Sequence, residues 1–129
     1  MKTRSCKNKG IVLQKIVAEK ISKLLGIDWG KDKEIRSREA GQQGTDVVLS
    51  ERVESLFPFA IECKNQESLN LWAAIDQAKS NAKENTSWIL FCKRNRIDPI
   101  VILDASEFFD IYSDALQYNL GKQTRKEAK

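Results

Sequence analysis

The sequence predicts an α/β protein, one layered domain with a mixed β-sheet of about five strands flanked by helices. Three observations lead there. Three stretches carry apolar residues at helical spacing, and five apolar runs have strand length. Polar segments with Gly, Asn or Pro separate them. The order reads α-β-β-β-α-β-β-α over residues 1–120, with residues 121–129 expected as a basic, disordered tail.

Ile11 to Leu25 places apolar residues at 13, 16, 17, 21, 24 and 25, the period of a helix, and Gly26 closes it as a C-cap. On that helix Gln14 falls at the margin of the buried face and Glu19 points to solvent. Asp28–Lys31 reads as a turn, and Lys33–Arg38 alternates as a strand. The polar, glycine-bearing segment Ser37–Gly44 follows. Such a loop either approaches a phosphate through its backbone N–H groups or is a plain surface loop.

The next strand opens at Asp46 (Thr-Asp-Val-Val-Leu). A polar turn, Ser50–Pro58, then leads to Phe-Ala-Ile-Glu62-Cys-Lys64. A helix is expected from about Leu69 to Asn85, with Leu71, Ala74, Ile75, Ala78 and Ala82 inward and Asn70, Gln77 and Asn81 on its flank. Strands follow at Ser87–Lys93 and Pro99–Asp104, joined by the cationic turn Lys93-Arg94-Asn95-Arg96. A last helix, Ala105 to about Leu116, is expected to bury Phe108, Phe109, Ile111, Tyr112 and Leu116 in the core.

Composition narrows the chemistry. With 41% hydrophobic and 31% charged residues in 129, the chain is an ordinary globular domain. No apolar run reaches the roughly 20 residues of a membrane span, and the N-terminus lacks a signal-peptide profile. The three cysteines, Cys6, Cys63 and Cys92, are odd in number and widely spaced, so reduced thiols and a cytoplasmic location are expected. Histidine is absent, which removes imidazole-based hydrolases and, with no Cys-x-x-Cys pair, argues against zinc. Of the net charge of +4, Lys2, Arg4, Lys7 and Lys9 precede the first helix, and Lys122, Arg125, Lys126 and Lys129 crowd the other end. Both termini read as arms for a nucleic-acid backbone or as solvated tails.

Charged residues at Asp46, Glu62 and Lys64 have no ordinary place in strands buried on both sides. Glu62 and Lys64 are two apart and leave one face of their strand. Antiparallel pairing across Ser50–Pro58 brings Asp46 level with them. Two carboxylates, with the Cys63 backbone carbonyl between, suit a hard divalent cation, and a lysine beside it can steady a nucleophile or developing charge. The bland alternative is a salt-bridged strand end.

The spacing Asp-x₁₅-Glu-x-Lys resembles the PD-(D/E)xK nuclease superfamily, with Thr45-Asp46 where the name has Pro-Asp. Lys9-Gly10 and the helix after it resemble the opening of archaeal-type Holliday junction resolvases. The block Phe57–Trp72, with Gln77 and Lys93–Arg96, is similar to small phage-encoded endonucleases of that superfamily. The resemblance covers about residues 9–110. It implies a restriction-endonuclease-like core and a Mg²⁺-dependent endodeoxyribonuclease, with Mn²⁺ substituting, acting on DNA at branched structures in the manner of a junction resolvase. It implies no organic cofactor and, for a phage protein, the host cytoplasm.

By that resemblance Asp46 and Glu62 are metal ligands, Lys64 is the catalytic lysine, and Gln77 supports it. Gln14 stands where resolvases carry a glutamate, and the two glutamines would orient the metal shell. Lys7, Lys9, Arg36, Ser37, Arg38, Lys93, Arg94 and Arg96 would grip phosphates. A homodimer, paired through Trp72 or Trp29, would supply two cutting sites. The alternative from another class is a nucleic-acid-binding module whose nuclease site is vestigial and serves a partner complex. A scaffold without a nucleic-acid role would hold Asp46 and Glu62 more than about 8 Å apart, too far to share one ion.

Overall fold

A computed structural model describes residues 4–127 and, within them, the side chains of residues 8–126. The side chains of Lys2, Arg4, Cys6, Lys7 and Lys129 lie outside the described ones. Helix α1 (Arg4–Leu25) is followed by β1 (Ile35–Ser37), β2 (Val47–Leu49), α2 (Glu51–Leu56), β3 (Phe59–Asn65), α3 (Leu71–Asn81), β4 (Ser87–Lys93), β5 (Ile100–Leu103) and α4 (Ala105–Glu127). The five strands form one sheet in chain order. Only β3 and β4 run parallel, with α3 as their crossover, and the other pairs are antiparallel.

Alternation along the strands gives the sheet two apolar faces. Ile61, Cys63 and Ile89 face α1, where Leu13, Val17, Ala18 and Ile21 close the larger core. Leu90 and Cys92 face α3 and meet Ala74 and Ile75. Helices therefore lie on both sides of a mixed sheet, as the sequence predicts.

Five expectations require correction. The stretch Ser50–Pro58, read as a turn, contains α2. Ser50 caps it by accepting from the Val53 amide at 3.2 Å, Glu51 and Glu54 sit in its first turn, and Val53 plugs fully into the core. The helix α1 starts at Arg4, so residues 4–10 of the basic arm are its first turns. The helix α3 is shorter than the expected Leu69–Asn85, because Asn70 caps its start and residue 82 is already extended.

The fourth concerns apolar residues at helical spacing. Leu24 belongs to the predicted row yet is 71% exposed, because α1 lies over β1, β2 and β3 and leaves an apolar groove toward β5 uncovered. On α4 every residue from 108 to 120 is exposed, including Phe108, Phe109, Ile111, Tyr112 and Leu116, which were expected in the core. Residues 121–127 continue α4 as helix, not as a disordered tail. Periodicity reports that a helix has an apolar face, not that anything covers it. No helix among the described residues is long and apolar enough to cross a membrane.

Leu13 and Leu24 separate these cases. Leu13→Ala is expected to destabilise the fold by about 2–5 kcal/mol, and Leu24→Ala by no more than about 0.5 kcal/mol, in urea unfolding. Equal losses would contradict the packing described.

Candidate active site

The hairpin of β2 and β3 builds the site. Gly44 turns the chain into it with φ of +114°, a backbone conformation that strains any residue with a side chain. Asp46 follows, just ahead of β2. Its backbone N–H donates to the Ile61 carbonyl at 2.8 Å, and its Oδ2 accepts from the Cys63 N–H at 2.7 Å. The carboxylate thus continues the ladder where the β2 backbone has ended. N–H and C=O of one strand residue leave on the same edge, so the Cys63 carbonyl also opens toward Asp46. The Cys63 thiol is on the opposite face, buried in the α1 core, and burial raises its pKa well above the ordinary thiol range.

Glu62 projects from the α3 face and is only 3% exposed. Its carboxyl lies within hydrogen-bonding reach of Asp46. Asn81 of α3 donates to Glu62 Oε2 at 3.2 Å, and Lys64 Nζ stands 3.9 Å from Oε1. Burial, and then the charge of Asp46, push the Glu62 pKa from 4.5 to about 7, against the pull of Asn81 and Lys64. Asp46 is also raised by burial, while the Cys63 amide, Lys64 and Arg38 hold it down.

A cleft of about 730 Å³ opens over this cluster, and Asp46, Glu62, Cys63, Lys64, Lys9, Gln14 and Gln77 all line it. Gln14 reaches it from the α1 side, but its Oε1 accepts from Ser37 Oγ at 2.6 Å. Gln77 is exposed on the α3 wall. Of the remaining predicted groups, those with described side chains do not line the cleft. Arg36 is half-buried in β1 opposite Val48. Arg38 turns its Nε onto the Thr45 carbonyl and lies over Gly44. Lys93, Arg94 and Arg96 form a turn at the same end of the sheet, since Lys93 pairs with Asn65, and Arg94 and Arg96 are exposed.

Three residues of the site were missed from the sequence. Asn81 is the neighbour of Glu62, on the α3 flank where Gln77 was preferred. Asn65 ties β3 to α1 by donating to the Lys9 carbonyl at 2.9 Å. Glu67 brings a third carboxylate to the cleft, with one oxygen taken by the Asn95 N–H at 2.7 Å. For Asn81 a signal existed: it falls seven residues beyond the buried Ala74, on the same helical row.

The donor set fits a hard divalent cation. Two crowded carboxyls, one pushed to about 7 by burial and then by its neighbour, are relieved by a cation as they are by a proton. Asp46, Glu62 and the Cys63 carbonyl would hold it. Among the described residues no cluster of three or more His, Cys, Asp or Glu groups forms a fuller cage. The remaining positions would fall to water or a ligand oxygen. Trp29 packs partly buried against the α1 core, whereas Trp72 is 75% exposed, so only the second could serve a partner. Comparison with protein-family models, with curated proteins and with solved structures found no match.

A carboxyl whose folded pKa is raised favours folding while protonated and loses that contribution as pH climbs from its unfolded value, 4.5, through about 7. In chelator, Glu62→Gln should match the wild type near pH 4.5 and exceed it in stability above pH 8, by up to about 3 kcal/mol. Mg²⁺ at pH 8 should raise the melting temperature of the wild type and not that of the variant. Parallel pH–stability curves for the two proteins would refute the buried pair.

Proposed function

We propose that this chain is a metal-dependent endonuclease that hydrolyses DNA phosphodiester bonds. The observation that carries this reading is the buried Asp46–Glu62 carboxyl pair with Lys64 beside it, at the floor of an open cleft. When bound, Mg²⁺ or Mn²⁺ would neutralise charge on the scissile phosphate and acidify a coordinated water.

The chain's own groups do the rest. Asp46 and Glu62 hold the cation only when both are ionised, so occupancy rises with pH through about 7. Asn81 and the Cys63 N–H keep the two carboxylates aimed. Lys64, 18% exposed at the side chain, offers N–H donors to the attacking water or the developing phosphorane charge. Lys9 on the rim and the cationic turn at Arg94 and Arg96 suit the phosphates on either side. A cleft open to solvent fits an interior segment of nucleic acid, and branched DNA is the refinement we favour.

One observation favours a second reading, a nucleic-acid-binding module with a vestigial site. The Gln14 amide is engaged by Ser37 and adds no charge to the carboxylate pair.

Purified protein incubated with circular, linear, single-stranded and four-way-junction DNA, with Mg²⁺, Mn²⁺ or chelator, separates the two. Metal-dependent nicking is expected. Asp46→Asn, Glu62→Gln and Lys64→Ala should each slow it by at least about 10²-fold with DNA binding within a few-fold. Binding without cleavage under every metal would leave the vestigial module. Cleavage that survives all three substitutions would overturn the site.

A further inference from the structure

Arg94 and Arg96 stand exposed in the turn between β4 and β5, and among the described residues neither side chain makes a hydrogen bond or an ion pair. A carboxylate is close at hand. Glu67, on the loop from β3 to α3, accepts from the Asn95 N–H at 2.7 Å. It holds the backbone between the two arginines and leaves both guanidinium groups free. An ionised acceptor makes such a bond roughly twice as strong as a neutral one.

The turn needs a tie of this kind. The Ile97 N–H closes it on the Arg94 carbonyl at 3.2 Å, and Arg96 sits at φ of +64°, the left-handed backbone that favours glycine. Lys93 bends its Nζ onto the Arg94 carbonyl at 3.1 Å. One step earlier in the loop, the Gln66 N–H donates to the Lys93 carbonyl at 3.0 Å. Loop and turn are thus joined at two consecutive residues, Gln66 and Glu67, and both line the cleft. Arg94 follows Leu90, the strand partner of Glu62, by four residues, so about 13 Å of extended chain separates them. That is too far for a phosphate held at the carboxyl pair and well placed for a flanking one.

A carboxylate on the wall of a cleft that takes nucleic acid repels phosphate. Its bond to the turn has to outweigh that repulsion. We infer that Glu67 is a positioning residue for nucleic acid: it fixes the β4–β5 turn so that Arg94 and Arg96 meet phosphates flanking the scissile one. This rests on the nucleic-acid reading proposed above, and it does not require that the site cut.

The sign of the effect tests it. Binding of a labelled duplex and of a four-way junction to the full chain is measured in chelator across a range of salt, so that cleavage plays no part. Glu67→Gln keeps an acceptor for the Asn95 N–H and removes a negative charge, so its binding should equal or exceed that of the wild type. Glu67→Ala removes the acceptor as well, and two arginines must then be ordered on binding. Its affinity should fall by about threefold to tenfold, although a repelling charge has gone. Its Asn95 amide should also exchange hydrogen faster than that of Glu67→Gln, with thermal unfolding unchanged because Glu67 is exposed. Arg94→Ala with Arg96→Ala should make the slope of log K against log salt shallower by about 1.8 on duplex DNA. In that background Glu67→Ala should cost nothing further, since its effect runs through the arginines. Cleavage at saturating DNA with Mg²⁺ should stay near the wild-type rate in both Glu67 variants.

Tighter binding by Glu67→Ala and Glu67→Gln alike would overturn the inference, because it marks a carboxylate that only repels. So would a loss from Glu67→Ala that persists in full without the two arginines. Cleavage lost in both Glu67 variants with binding unchanged would overturn it too, and would make Glu67 a metal ligand. The reading of the cleft fails separately. A wild type that binds no DNA at any salt overturns both, whereas binding that depends on Glu67 and the arginines, without cleavage under any metal, supports this inference and leaves the site vestigial.

Discussion

Glu62 is the one charged or polar residue fully buried among the described side chains, and a second carboxyl stands beside it. Burying one ionised carboxylate is costly, and burying two within hydrogen-bonding reach of each other adds their repulsion. The neighbourhood answers that cost with donors. The Cys63 N–H serves Asp46, Asn81 serves Glu62, and Lys64 lies between charge and solvent. These donors come from β3 and α3, and Asp46 stands at the start of β2, so the pair exists only when the hairpin and α3 are all in place. A proton or a divalent cation completes the compensation, which makes the site a sink for cations by construction.

The sheet keeps that cost local. Along β3 the side chains alternate between a dry face against α1, with Ile61 and Cys63, and the α3 face, with Ala60, Glu62 and Lys64. The first face carries the larger core, so the second can give up apolar contact at one end of the strand. Helix α3 accommodates this with small residues, Ala74 and Ala78, where it crosses the sheet, and with Asn81 where the carboxylate emerges. Stability and chemistry are thus separated by one residue of sequence and the thickness of a sheet. On the far side of the molecule, β5 and α4 leave apolar surface uncovered.

Much of this was legible in the order of residues. Strand β4 begins and ends where its apolar run does, and the antiparallel level of Asp46 with Glu62 and Lys64 followed from the hairpin alone. The short helix α2 was missed, although Ser50 followed by acidic residues is a capping signal. A single buried residue, Val53, is too little to show a period. The role of Asn81 was missed for a different reason. Gln77 and Asn81 share a flank, and only the angle at which α3 crosses β3 decides which amide meets Glu62.

By itself, then, the sequence determined the elements, their layering and the convergence of Asp46, Glu62 and Lys64. Each of these depends on local period and on the pairing of neighbouring strands. Only the tertiary structure decided how the cations and α4 are used. Arg38 folds back on the Thr45 carbonyl, Ser37 takes Gln14, and the aromatic face of α4 is left in solvent. The reason is physical. Hydrophobic periodicity states which face of an element avoids water, and whether another surface lies within reach of that face is set by packing between segments distant in the chain.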